Sequence, residues 1–97
     1  MISYPNIKDG RKVVASAGTA ERLVAAVTRC KKVTIMAELD NTDYVVVGDS
    51  TVVAALATRR GIPLGAGTSI TLDVDDLYAV FVDAVVSGEG VTFIYHF

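Results

Sequence analysis

Gly61-Ile62-Pro63-Leu64-Gly65-Ala66-Gly67-Thr68-Ser69-Ile70-Thr71-Leu72-Asp73-Val74-Asp75-Asp76-Leu77 is the stretch that decides how the rest of the chain is read. Its opening, rich in Gly and Pro, is a turn. Beyond it the residues alternate without error. Ile70, Leu72 and Val74 fall on one face, and Ser69, Thr71 and Asp73 on the other. Period two over this length marks a β-strand with one buried face.

The same pattern recurs on both sides. Residues 1–10 read as an irregular N-terminal arm, because Tyr4-Pro5-Asn6 and Asp9-Gly10 are turn-rich and Ile2 and Ile7 stand as isolated anchors. Arg11–Ala17 reads as a first strand closed by Gly18. Residues 20–28 fit two periods: Leu23, Val24, Val27 and Cys30 line a helical face, while Leu23, Ala25 and Val27 share a side at period two. The strand is preferred because its neighbours are strands. Lys32–Glu38 follows with Val33, Ile35 and Ala37 on one face, and Asp40-Asn41-Thr42-Asp43 is a turn by composition. Tyr44–Val47 is apolar throughout, as a central strand covered on both faces would be. Residues 51–60 are open between a short helix capped by Ser50 and a long excursion. Tyr78–Ala84 puts Tyr78, Val80, Val82 and Ala84 together, Ser87-Gly88-Glu89-Gly90 reads as a hairpin turn, and Val91, Phe93, Tyr95 and Phe97 share the last strand's face. Strands spaced in this way predict one all-β domain over residues 1–97, a small β-sandwich with jelly-roll character.

Composition agrees. At 97 residues the chain has the size of one domain. Val, Ile and Thr make up nearly a third of it, and side chains branched at Cβ suit a pleated surface. The apolar share is 52%. It fits either a Val- and Ala-rich core or a surface that meets another subunit. Cys30 is the one cysteine, so no intramolecular disulfide and no thiolate metal site is expected. The start is neither basic nor continuously apolar, and the apolar runs Val52–Ala57 and Leu77–Val82 fall far short of the ~20 residues of a membrane span. Neither a signal peptide nor a membrane association is therefore expected. The net charge of −2 hides an asymmetry, with residues 1–32 basic and residues 33–97 acidic. Such a split suits docking between subunits unless folding interleaves the two segments. Nucleic acid is not an expected partner, since the basic residues lack interleaved aromatics and the acidic majority repels phosphate.

No residue set reads as catalytic. Gly48-Asp49-Ser50 resembles the nucleophile segment of serine esterases, but a nucleophilic Ser needs an oriented base. The one histidine is His96, and Phe93 stands where such esterases keep an Asp. A strand-ending turn explains the motif better. Asp73, Asp75 and Asp76 offer oxygens to a cation such as Ca²⁺ but lack EF-hand spacing, and the simpler reading makes Asp75 and Asp76 acceptors of backbone N–H bonds at a corner. Gly61, Gly65 and Gly67 are followed by no Lys and no helix, so they form no phosphate loop. No cofactor and no metal is expected. Arg59 and Arg60 are candidates for a partner contact, since Arg is favoured at interfaces. Solvated loop arginines explain the pair equally simply.

Several elements occur in an order that resembles a group of small tailed-bacteriophage proteins encoded among virion genes. They are Lys32-Val33-Thr34-Ile35-Met36-Ala37, the Asn41-Thr42 turn, Tyr44-Val45-Val46-Val47-Gly48-Asp49-Ser50-Thr51-Val52, Gly61-Ile62-Pro63-Leu64, Gly67-Thr68-Ser69-Ile70-Thr71-Leu72, Val74-Asp75-Asp76-Leu77 and Gly88-Glu89-Gly90-Val91-Thr92-Phe93-Ile94-Tyr95. They cover about two-thirds of the chain. Val53–Arg60 departs from the pattern by its length. The resemblance implies a non-enzymatic virion structural protein made in the host cytoplasm: a capsid decoration or cement protein, or else a tail, baseplate or fibre component. It also implies a homo-oligomer, with a trimer favoured, docked on the major capsid protein or another virion protein. Ile2, Tyr4 and Ile7, in the arm, join Arg59 and Arg60 as interface candidates. A reading of another class, a small carbohydrate-binding module, requires Tyr44, Tyr78 and Tyr95 exposed on one concave face.

Overall fold

A computed structural model of the chain describes residues 6–97. Among the described residues eight strands form: β1 (Ile7–Val13), β2 (Glu21–Arg22), β3 (Lys32–Ala37), β4 (Val45–Gly48), β5 (Ile62–Leu64), β6 (Ser69–Leu72), β7 (Phe81–Ala84) and β8 (Gly90–His96). They divide into two four-stranded antiparallel sheets, ordered β1-β8-β3-β6 (sheet A) and β2-β7-β4-β5 (sheet B).

That order has a simple origin. The first strand pairs with the last, β2 with β7, β3 with β6 and β4 with β5, as if the whole chain were one long hairpin. Rolling the hairpin brings β3 beside β8 and β4 beside β7 and separates the strands into two layers. This is the jelly-roll arrangement, and it confirms the expected all-β sandwich.

Period two sets which side chains enter the core. Val33, Ile35 and Ala37 of β3 and Val91, Phe93 and Tyr95 of β8 are buried against Val45 and Val47 of β4 and Val82 and Ala84 of β7. Ile70, Leu72 and Val74 line the margin of that core, while Ser69, Thr71 and Asp73 are exposed, as the alternation requires. Three consecutive valines can all be buried in β4 because it lies between β7 and β5 and is covered on both faces. Val46, on the side away from the core, packs with Val52 and Ala54.

Several expectations need correction. Ile7–Gly10, expected in the irregular arm, form strand, and residues 1–5 of that expectation lie outside the described residues. Ile7–Gly10 belong to β1, which begins before Arg11 and ends at Val13, because Lys8 and Gly10 turn their backbone groups to β8 despite the turn-forming residues around them. Residues 20–28 are not one strand, since only Glu21–Arg22 pair regularly and the chain then bends around buried Leu23. Residues 51–60 are an excursion, not a helix. A single 3-10 turn spans Leu56–Thr58, and a bridge between Val53 and Arg60 closes the loop. Tyr78 lies in a second 3-10 turn, Leu77–Ala79, so β7 starts only at Phe81. The Ser87–Gly90 turn makes no hairpin either, since β7 and β8 sit in different sheets. At Gly61 the structure demands glycine: φ is +108°, and a Cβ there would stand 2.6 Å from Val47 O.

Candidate interaction surfaces

The outward faces of the two sheets are unlike. Over sheet B, the loops at residues 14–20 and 49–61 cover the surface, and one residue ties both down. Asp83 points outward from β7 yet is fully buried. Its Oδ1 accepts the N–H of Gly18 and of Ala84, and its Oδ2 accepts the N–H of Ala54, each at 2.9 Å. Beneath them, Val52 and Ala54 seal Val46, with Ala20 and Phe81 alongside. Arg59 stabilises the same excursion: its Nε donates to Ala54 O at 3.0 Å, and its guanidinium lies 5.1 Å from the Tyr44 ring centre. Arg60 is exposed and exchanges backbone hydrogen bonds with Val53. So the arginine pair divides, with Arg59 serving its own loop and Arg60 facing solvent.

No loop covers the outward face of sheet A among the described residues. Its centre is Ile94, 39% exposed, beside Thr34 of β3, with Met36, 38% exposed, beside Thr92 in the next row. On β1 Asp9 stands directly beside Ile94, and Ile7, 60% exposed, lies one row further on, opposite His96. Thr34 and Thr71 hydrogen-bond to each other at 3.0 Å across β3 and β6. Charged pairs flank these residues. Arg11 donates through Nε and Nη2 to Glu38 at 2.8 and 3.3 Å, and Lys32 Nζ lies 3.7 Å from Asp73. Of the arm's three interface candidates, Ile7 is thus placed on this face; Ile2 and Tyr4 lie outside the described residues.

A cleft of about 620 Å³ opens between the margins of the sheets, lined by Gly10, Lys12, Glu21, Leu23 and Phe93 among others. Lys12 Nζ and Glu21 Oε1, 3.0 Å apart, bridge β1 of sheet A to β2 of sheet B. Desolvation pushes the Glu21 carboxyl upward. The Ser16 N–H and Lys12 outweigh it and hold the group below its ordinary value. Gly10 is required here because the Phe93 ring occupies its Cβ position; a Cβ would come within 2.4 Å of Cζ. Arg22 closes the far wall, stacked 3.7 Å from the Tyr78 ring centre and donating to Tyr78 O.

The remaining chemical candidates are scattered. Asp76 turns inward to accept from the N–H of Thr28 and of Tyr78, and these two bonds hold its carboxyl below the usual range. Asp73 faces Lys32 across solvent. Among the described residues no group of His, Cys, Asp and Glu is placed to hold a metal ion. The Thr51 hydroxyl and N–H bind Asp49, which lowers the Asp49 pKa; Ser50 is exposed beside it. Ser50 and His96 belong to the ends of different sheets, with no hydrogen bond between them among the described residues. Tyr44 precedes β4 at one end of the sandwich, Tyr78 precedes β7 at the opposite end, and Tyr95 is buried. The three do not form one platform.

No protein-family model, curated protein or solved structure matches the chain. Among the described residues no helix is long and apolar enough to cross a membrane.

Proposed function

We propose that this protein is a structural component of a tailed-phage particle, working as a capsid decoration or cement protein that bridges neighbouring shell subunits. The contrast between the two sheet faces carries this reading. One is sealed by loops anchored on a buried carboxylate, while the other, among the described residues, leaves Ile7, Met36 and Ile94 open among threonines and charged residues. Open apolar residues in polar surroundings have the anatomy of a docking surface. The jelly roll hosts capsid, lectin and cupin domains alike, so the fold is compatible with the reading without selecting it. The sequence resemblance to virion proteins supplies the selection. On this reading the energy comes from buried apolar area and paired charges, with no bond made or broken.

The test is co-sedimentation of the purified protein with separated empty heads and tails of the phage that carries its gene. The protein is expected to pellet with heads. The variant Ile94→Asp, whose fold is checked by circular dichroism because it sets a second carboxylate opposite Asp9, is expected to bind heads about tenfold more weakly or worse. Pelleting with tails alone would move the protein to the tail. Failure to pellet with either, or undiminished binding by Ile94→Asp, would overturn the proposal.

A further inference from the structure

The longest of the four sheet edges is that of β1: seven residues, against four in β6, three in β5 and two in β2. Its hydrogen-bond phase can be read from the ladder. Asn6 and Phe97 exchange two backbone bonds, of 3.0 and 2.9 Å, and the Val14 N–H donates to Glu89 O at 2.9 Å. Antiparallel pairs alternate, so Lys8, Gly10 and Lys12 turn their backbone groups toward β8. Ile7, Asp9, Arg11 and Val13 turn theirs outward, and among the described residues nothing pairs with them.

We infer that this edge pairs with the same edge of a second copy, β1 antiparallel to β1 about a two-fold axis at Gly10, to make one eight-stranded sheet across a dimer. The sequence of the strand is complementary to itself in this register. Asp9 of each copy stands opposite Arg11 of the other, and Ile7 stands opposite Val13, all four in the hydrogen-bonded pairs that the outward groups require. Opposite charges and apolar pairs placed directly across strands stabilise such ladders. Sliding the copies by one pair step in either direction puts Asp9 against Asp9 or Arg11 against Arg11, so one register is selected. Arg11 uses Nε and Nη2 on Glu38 and keeps Nη1 for the incoming carboxylate. On the other face Lys8 approaches Lys12 of the second copy, whose charge Glu21 already offsets at 3.0 Å. Gly10 meets Gly10 at the close, non-hydrogen-bonded position; it adds no side chain of its own there, and the Phe93 ring of each copy lies over it.

The contact does not rest on the virion reading, and it specifies a dimer where the resemblance pointed to a trimer. It also makes the bare outward faces of the two copies continuous. Charged residues on a strand edge can instead serve to prevent pairing, and the experiment separates the two roles. Sedimentation equilibrium of the full chain, from micromolar to millimolar concentration, is expected to show reversible dimers. Amide hydrogen exchange is expected to show protection of Ile7, Asp9, Arg11 and Val13 that rises with concentration, while Lys8, Gly10 and Lys12 are protected throughout. Asp9→Arg places like charges in both pairs and weakens the dimer about tenfold; adding Arg11→Asp restores most of the loss. Single-chain mass at all concentrations, a trimer, unprotected outward amides in the dimer, or indifference to Asp9→Arg would each overturn the inference.

Discussion

Asp83 shows how much a single side chain can decide in a sandwich of this size. An acid between Val82 and Ala84 reads as a solvent-facing strand residue, because alternation assigns it to the outward face. The outward face is correct, but solvent is excluded there by the loops that its carboxylate holds. Nothing local in the sequence signals this, since the donors come from Gly18 and Ala54, far away along the chain. Replacing Asp83 with Asn keeps the shape and puts an amide NH₂ against one of those donors. The expected loss is about 1–3 kcal/mol for each buried N–H left without an acceptor, and Asp83→Ala loses more. Urea denaturation checks this: the midpoint falls while the slope stays the same, because the folded core is unchanged. A midpoint within error of the parent would remove Asp83 from its anchoring role.

At the scale of elements, loops that cross between the sheets are fastened by side chains that bond to backbone. The turn at residues 85–89 joins β7 to β8 across the layers, and Glu89 clamps it to the loop before β4. Its carboxylate accepts the Thr42 N–H at 2.6 Å, the Thr42 hydroxyl at 2.7 Å and the Asp43 N–H at 3.0 Å, while Asn41 and Gly90 exchange two further bonds. The Thr42 N–H and hydroxyl hold the Glu89 carboxyl below its ordinary value of 4.5. A carboxyl lowered by folding contributes stability that is complete above the unfolded value and is lost as pH falls through the folded one. The stability difference between the parent and Glu89→Gln is therefore expected to be constant above about pH 4.5 and to shrink toward zero in stronger acid. Denaturation curves over a pH series measure it; a difference that persists undiminished at the acid end would show that the clamp is not electrostatic. The same scale explains why residues 20–28 and 51–60 defied a single period. Both runs answer to contacts outside themselves, the first to Val80, which accepts the Leu23 N–H, and to Asp76, which accepts the Thr28 N–H, the second to Val46 and Asp83.

For the whole molecule, the rolled hairpin makes nearly every strand pairing distant in the chain. β1 cannot find β8 until almost the full length is available, and closing such long loops costs entropy before any contact repays it. Refolding from denaturant is expected to be slow for a chain of this length, in the range of milliseconds to seconds, and followed by tyrosine fluorescence in stopped flow because the chain has no tryptophan. Completion within microseconds would mean that structure forms from local contacts, against the topology. The rolling also answers the charge question left open by the sequence. Arg11 meets Glu38 and Lys32 meets Asp73 within sheet A, so two charges of the basic segment pair with acids of the other segment, while Lys12 meets Glu21 of its own segment across the layers.

The amino-acid order by itself determined the all-β class, the inward sets on β3 and β6, Val91, Phe93 and Tyr95 on β8, and the doubly covered β4. These follow from a two-residue period and from turn chemistry, which act between neighbours. Which strands share a sheet, why the last turn crosses between layers, where Asp83 finds its donors and which face stays bare were decided only by the rolled tertiary structure. Those features depend on pairing between residues tens of positions apart, and no local period encodes a distant partner.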